Sequence, residues 1–186
     1  MPDVVCKPVF FFTVCVAILL LPMQLVVCWI LAAAIHELGH YLALRATGTK
    51  VFKITIGAMG AIMETEPMTG WKSIVCALAG PFSGLLLMFL MRPFPLLAFC
   101  GLIQSACNLL PLLPLDGGRA VSGALSYLPF GKSALFVVEL CTMVLLVLIG
   151  IYLMIQYSLG LYPLLLVVFL LIRRKLSCKQ NPQRVQ

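Results

Sequence analysis

Charge is what this sequence has least of. Only 10% of its 186 residues are Asp, Glu, Lys or Arg, while 62% are hydrophobic; soluble domains carry about a quarter charged residues. Mean hydropathy is +1.11. Such a chain cannot cover a water-facing surface, which excludes a soluble globular enzyme, and it is too apolar to be intrinsically disordered. Histidine is scarcer still, with only His36 and His40, and the aspartates are Asp3 and Asp116 alone. The 8 cysteines include no Cys-x-x-Cys pair and mostly lie in apolar runs. They read as small apolar helix residues rather than as a disulfide framework.

What is present in quantity is long apolar runs, which point to a polytopic membrane protein of one domain, 1–186. The run from Val9 to Leu44 is too long for one helix, and Pro22 divides it into a short first span, Pro8–Leu21, and a second, Met23–Leu44. The stretch Thr49–Thr69 is more polar. Its alternation Val51-Phe52-Lys53-Ile54-Thr55-Ile56, with Gly57, Gly60 and then Ala61-Ile62-Met63-Glu64, predicts a short β-hairpin at the membrane surface. Trp71 opens a third span, Lys72–Met91, closed by Arg92-Pro93. A fourth covers Pro95–Leu113 and ends in a proline-rich break. Ser133–Gln156 and Leu159–Ile172 make a fifth and a sixth. The expected fold is therefore all-α, with six transmembrane helices and a membrane-surface β-hairpin between the second and third.

The net charge of +7 is mainly a topology signal. With a cytosolic N-terminus, every basic residue except Arg92 falls inside: Lys7, then Arg45, Lys50, Lys53 and Lys72, then Arg119 and Lys132, then the basic tail of about 173–186. A multi-pass protein of a bacterial cell membrane with both termini cytosolic is expected, touching membrane lipid and no nucleic acid. The start is not strongly basic and no small-residue cleavage site follows, so the first span is expected to stay as an anchor.

The chemistry centres on His36-Glu37-Leu38-Gly39-His40. Residues four apart on a helix turn through about 400°, so both imidazoles face one way. That spacing suits a shared Zn²⁺. Glu37, on the adjoining face, could take the proton of a zinc-activated water as it attacks a carbonyl. Ionisable groups inside a span are expensive and usually functional. The plain alternative is a pair of hydrogen-bonding histidines beside an incidental Glu.

Catalytic zinc usually has three protein ligands and one open position. Asp3 lies in the N-terminal tail, which leaves Asp116. The second span ends inside near Arg45, five residues past His40. The fourth also ends inside, and Arg119 is three residues past Asp116. Both groups thus sit at similar shallow depth on the cytosolic side. The prolines at 111 and 114 predict an irregular segment around Asp116, tolerable at membrane depth where it lines a polar cavity. A turn or capping Asp before Gly-Gly is the alternative.

On these residues the chain resembles the site-2 protease family of intramembrane zinc metalloproteases, peptidase family M50. His36-Glu37-Leu38-Gly39-His40 matches the family's first motif, and Asn108 through Gly118 matches its Asn-x-x-Pro-x-x-Pro-x-Asp-Gly motif. Ala79-Gly80-Pro81 is similar to its Ala-Gly-Pro element, and Gly57–Glu64 to its membrane-surface hairpin. The resemblance covers Leu25 to Tyr127, with a core of 23–119. It implies one zinc per chain held by His36, His40 and Asp116, with Glu37 as base. It also implies that Asn108 polarises the scissile carbonyl or holds the substrate backbone.

Asn108–Arg119 and Leu128-Pro129-Phe130 look most similar to the branch of the stage IV sporulation protein FB, which cleaves an inactive pro-sigma factor. Two departures stand out: Ser83 where family members often carry Asn, and no CBS domain within the sequence. The resemblance implies a membrane-associated protein substrate, such as a pro-sigma or anti-sigma factor, and regulation by a partner membrane protein, lipid or substrate.

A helix shields its own peptide bonds, so a substrate must be unwound. The hairpin at 51–64 is expected to take it as an added strand, which makes Ile54 and Ile62 substrate-binding candidates. Glu64 and Glu66 read as solvated, and Glu139 as snorkelling to the inner interface or pairing with a basic group. Gly80, Ser83 and Gly84 are spaced for close helix packing. A membrane metal transporter would need polar ligands across several spans, and the outer half has almost none. A catalytically dead scaffold usually loses a ligand or the base, and both are present.

Overall fold

A computed structural model of the chain describes residues 3–57, 60–68, 70–157 and 168. It divides into two compact units, Met1–Leu109 and Leu110–Gln186.

In the first unit a short strand β1 (Asp3–Cys6) precedes helices α1 (Pro8–Leu20) and α2 (Met23–Ala46). The break falls where the sequence places it. Proline restricts the residue before it to extended geometry and offers no amide to a preceding turn. Leu21 is accordingly extended, at φ −126° and ψ 154°, and Pro22 heads α2. Strands β2 (Val51–Gly57) and β3 (Gly60–Thr65) follow, then α3 (Trp71–Leu86), a 3₁₀ turn (Leu87–Leu90) and α4 (Pro95–Asn108).

The expected hairpin is present as an antiparallel pair, with Thr55 opposite Ile62 and Gly57 opposite Gly60. It is not alone. β1 runs parallel to β2, Val4 opposite Ile54, so the sheet has three strands in the order β1-β2-β3. The sequence places Asp3 in an N-terminal tail and predicts no strand there. Four exposed residues carry no periodic signal, and a parallel pairing across two intervening helices leaves no local trace.

α2, α3 and α4 pack through small residues. Ala32, Leu87 and Cys100 form a buried cluster, and Ala77 and Ala98 are wholly buried. Gln104 of α4 donates to the Trp29 carbonyl of α2 at 3.0 Å, and Asn108 approaches His36. Contacts climb both helices together, so α2 and α4 run in the same sense, as the span assignment requires.

The second unit contains a proline-broken loop, α5 (Asp116–Leu125) and α6 (Gly131–Tyr157). Its core is Leu112, Leu115 and Met143, with Leu110 and Leu146 packed against them. Asp116 does not project from irregular chain as expected: it is the first residue of α5, after the loop. The segment is short and glycine-rich, so composition hid the helix. Glu139 also departs from expectation. It is buried on α6, where its Oε1 accepts from the Leu113 amide at 2.9 Å rather than snorkelling to the interface.

Among the described residues, three helical stretches are long and apolar enough to cross a membrane: Met23–Ala46, Trp71–Leu90 and Gly131–Gln156. α1 has 13 residues and α4 has 14, about 20 Å of helix against a hydrocarbon core of about 30 Å. The fourth apolar run extends to Leu113, but its helix stops at Asn108, because Pro111 and Pro114 interrupt it. The expected sixth span, Leu159–Ile172, and the basic tail lie outside the described residues except for Val168. Six crossings are thus an expectation, of which three meet the length requirement among the described residues.

The surface is inverted relative to a soluble protein. On α2, Leu38 and Leu42 are 51% and 57% exposed while His36 and His40 are 5% and 9% exposed. Apolar residues outside and polar ones inside are what a lipid surround selects.

Candidate metal centre

The centre is built on α2. His36 and His40 are one helical turn apart, and their rings meet edge to face, with centroids 4.8 Å apart and planes at 82°. Their Nε2 atoms are separated by 3.2 Å. Nδ1 of His40 lies 2.7 Å from the carbonyl oxygen of Cys76 on α3. A carbonyl only accepts, so Nδ1 must carry the hydrogen, and the neutral ring then has its lone pair on Nε2, facing His36. A backbone acceptor behind the ligating ring is the usual way a metal-binding histidine is oriented.

These distances test whether zinc fits. Two nitrogens each about 2.0–2.1 Å from a tetrahedral ion stand about 3.3–3.4 Å apart. The observed 3.2 Å matches that edge. Without an ion, the same separation serves a hydrogen bond between the two rings. The donor chemistry and the spacing both suit Zn²⁺.

α3 is shaped to receive this pair. A methyl group at Gly80 would collide with the His40 ring, so the ring occupies the side-chain position that glycine leaves vacant. Pro81, inside α3, has no amide for the carbonyl of Ala77 and crowds it. The helix is loosened at the turn whose neighbouring carbonyl, that of Cys76, anchors His40. Gly80 was expected to be a packing residue only; its neighbour is a site imidazole. Gly39 leaves room for α3 rather than for substrate, since a side chain there would strike Ser83 Oγ and the Ala79 carbonyl. Ser83 itself donates to the carbonyls of Ile35 and Gly80, at 2.9 and 2.7 Å.

Glu37 lies between the histidines in sequence and turns toward the sheet. Its Oε1 accepts from the Ala61 amide of β3 at 3.1 Å. Ala61 is opposite Ile56 in the hairpin, at a position whose N–H points away from β2. The outer edge of β3 therefore reaches the carboxylate. Nδ2 of Asn108, the last residue of α4, is 3.4 Å from His36 Nε2. Thus His36, Glu37, His40 and Asn108 converge within the first unit.

Asp116 belongs to the second unit. It is buried at the start of α5, where a carboxylate is favoured by the helix dipole, and Arg119 Nη1 is 3.5 Å from its Oδ1. Ile54 sits on the middle strand, paired on both sides. Ile62 sits on β3 and is half exposed. The sequence reading missed the Cys76 carbonyl, the Ala61 amide and the role of Gly80. Only the last had a signal, in Ala79-Gly80-Pro81.

A histidine pair with an intervening carboxylate, set among apolar helices, has the donor set and spacing that could hold a metal ion. The structure matches a site-2 protease from Methanocaldococcus jannaschii with a TM-score of 0.63 and 20% identity, covering 90% of this chain and 86% of that one. In sequence, the chain is 36% identical over 102 residues to sll0528 of Synechocystis, which carries a zinc metalloprotease name; the match covers 46% of this chain and 27% of that protein. It is 30% identical over 111 residues to zinc metalloprotease MJ0392 of M. jannaschii, covering 51% and 32%. The matched regions are thus about a quarter to a third of those relatives. No protein-family model matches the chain. The resemblance read from the motifs holds: the chain is similar to zinc metalloproteases in sequence and has the site-2 protease fold.

Proposed function

We propose that this protein is an intramembrane zinc endopeptidase that hydrolyses peptide bonds of membrane-tethered proteins near the cytosolic face. The observation that carries this reading is the His36–His40 pair at 3.2 Å, with the His40 tautomer set by the Cys76 carbonyl and Glu37 beside it. His36, His40 and Asp116 would hold one zinc ion per chain. Bound zinc supplies a Lewis acid and lowers the pKa of water.

The rest of the chemistry belongs to the chain. Glu37 takes the proton of the attacking water and delivers it to the leaving amine. The Asn108 amide, beside His36, donates to the oxygen of the scissile carbonyl as charge develops there. The outer edge of β3 receives the unwound substrate as an added strand. β2 is paired on both sides and is closed to such addition. Ile62 therefore lies on the receiving strand, while Ile54, opposite Met63, lies on the closed strand behind it.

The substrate class is a membrane-associated regulator, with a pro-sigma or anti-sigma factor as the first trial. The orientation proposed is both termini in the cytosol of a bacterial cell, with lipid and a regulatory membrane protein as partners.

The test compares the purified full chain with Glu37→Gln and Asp116→Asn, measuring bound zinc and cleavage of a membrane-tethered pro-sigma factor. Wild type should hold about one zinc and cut. Glu37→Gln should keep the zinc and lose cleavage by about 10²–10⁴-fold, and Asp116→Asn should lose both. A wild-type protein that binds no zinc ends the reading.

A further inference from the structure

We propose that Glu139 is a positioning residue for the metal centre: it fixes the proline loop that delivers Asp116. This rests on the reading of Asp116 as a zinc ligand. Glu139 is 4% exposed, on a helix apolar enough to cross a membrane. A carboxyl group there is expensive and calls for a specific partner. That partner is the Leu113 amide, 2.9 Å from Oε1.

The loop shows why this bond is needed. Pro111 and Pro114 have no amide hydrogen. The Leu112 amide donates to the Leu110 carbonyl, and the Leu115 amide to the Leu112 carbonyl, both at 2.8 Å. Leu113 is the loop residue whose amide turns instead to a side chain on another element. Irregular backbone at membrane depth persists only where such groups are satisfied.

The loop then bears directly on α5. Added at Gly118, a Cβ would collide with the backbone of Leu112 and Leu113, so the loop lies against the first turn of the helix. Asp116 is three residues beyond Leu113. Met143, one turn after Glu139 on α6, packs on Leu112 and Leu115. α6 thus offers the loop an acceptor and an apolar seat on one face.

The experiment uses the full chain in lipid nanodiscs. Glu139→Gln keeps a carbonyl oxygen, Glu139→Met keeps length without an acceptor, and Glu139→Ala stands in if the Met variant does not fold. Two quantities are read: amide hydrogen exchange at Leu112–Leu115, and zinc affinity by competition with a chelating dye. The Met variant should speed exchange at Leu113 about tenfold or more and weaken zinc binding about 10–100-fold, the range for partners behind metal ligands. The Gln variant should stay within about threefold of wild type on both. In an Asp116→Ala background, Glu139→Met should weaken zinc no further.

Unchanged Leu113 exchange in the Met variant would overturn the inference alone. So would faster exchange with unchanged zinc affinity, or a Gln variant as impaired as Met. If Asp116→Ala by itself leaves zinc affinity intact, the ligand assignment fails, and the metal role of Glu139 fails with it.

Discussion

At the scale of single residues, the centre depends as much on what is missing as on what is present. The His40 ring fills the place of a side chain at position 80. Gly80→Ala must therefore push the ring off its Cys76 anchor or part α2 from α3. We expect zinc affinity to fall about 10–100-fold, with the helical circular dichroism retained. Equal zinc affinity in Gly80→Ala would contradict the close approach.

The histidine motif was legible because its meaning depends only on helical spacing. The Cys76 carbonyl and the Ala61 amide were not, because backbone groups look alike in every sequence. Asp116 could be chosen by elimination, since the alternative aspartate sits in the N-terminal segment. Its place at the head of a helix could not be read from Asp-Gly-Gly, whose glycines disfavour helix.

At the scale of elements, β3 is the strand to test. The amides of Ile62 and Met63 alternate in direction. Ala61 points outward to Glu37, so Met63 points outward too, and Ile62 faces β2. Proline at 62 breaks the hairpin, and proline at 54 breaks the middle strand. Proline at 63 removes only an outward donor, which an edge strand tolerates.

Met63→Pro should then slow cleavage about tenfold, roughly one hydrogen bond of substrate binding, while bound zinc stays constant. Unaltered cleavage would remove β3 as the substrate strand. The hairpin itself was visible from its alternation and glycines. β1 was not, since its partner lies 50 positions away in register, Asp3 with Lys53. Helix ends at Pro22 were legible for the same physical reason that the end of α4 was misjudged. Hydropathy continues through Pro111 and Pro114, but helical hydrogen bonding does not.

At the scale of the whole molecule, the inverted distribution of polar and apolar residues is the main fact. Composition alone announced it, and the exposed apolar faces of α2 and α6 bear it out. Orientation in the membrane can be read at Cys6. It is exposed on β1, next to Lys7. In a variant retaining Cys6 as its sole cysteine, a membrane-impermeant maleimide should label inverted vesicles and spare right-side-out ones. The reverse pattern would invert the topology and put the metal centre at the outer face.

The anchor of His40 has one last consequence, for what this site tolerates. Its partner is a peptide carbonyl, which any amino acid at position 76 supplies. Cys76→Ala or Cys76→Ser should leave that acceptor in place. What the ring needs from a side chain is the space at Gly80, which only glycine leaves open. A comparison that scores side-chain identity would thus pass over the very position that holds the ring. That contact is written in the backbone, which a side-chain substitution leaves in place.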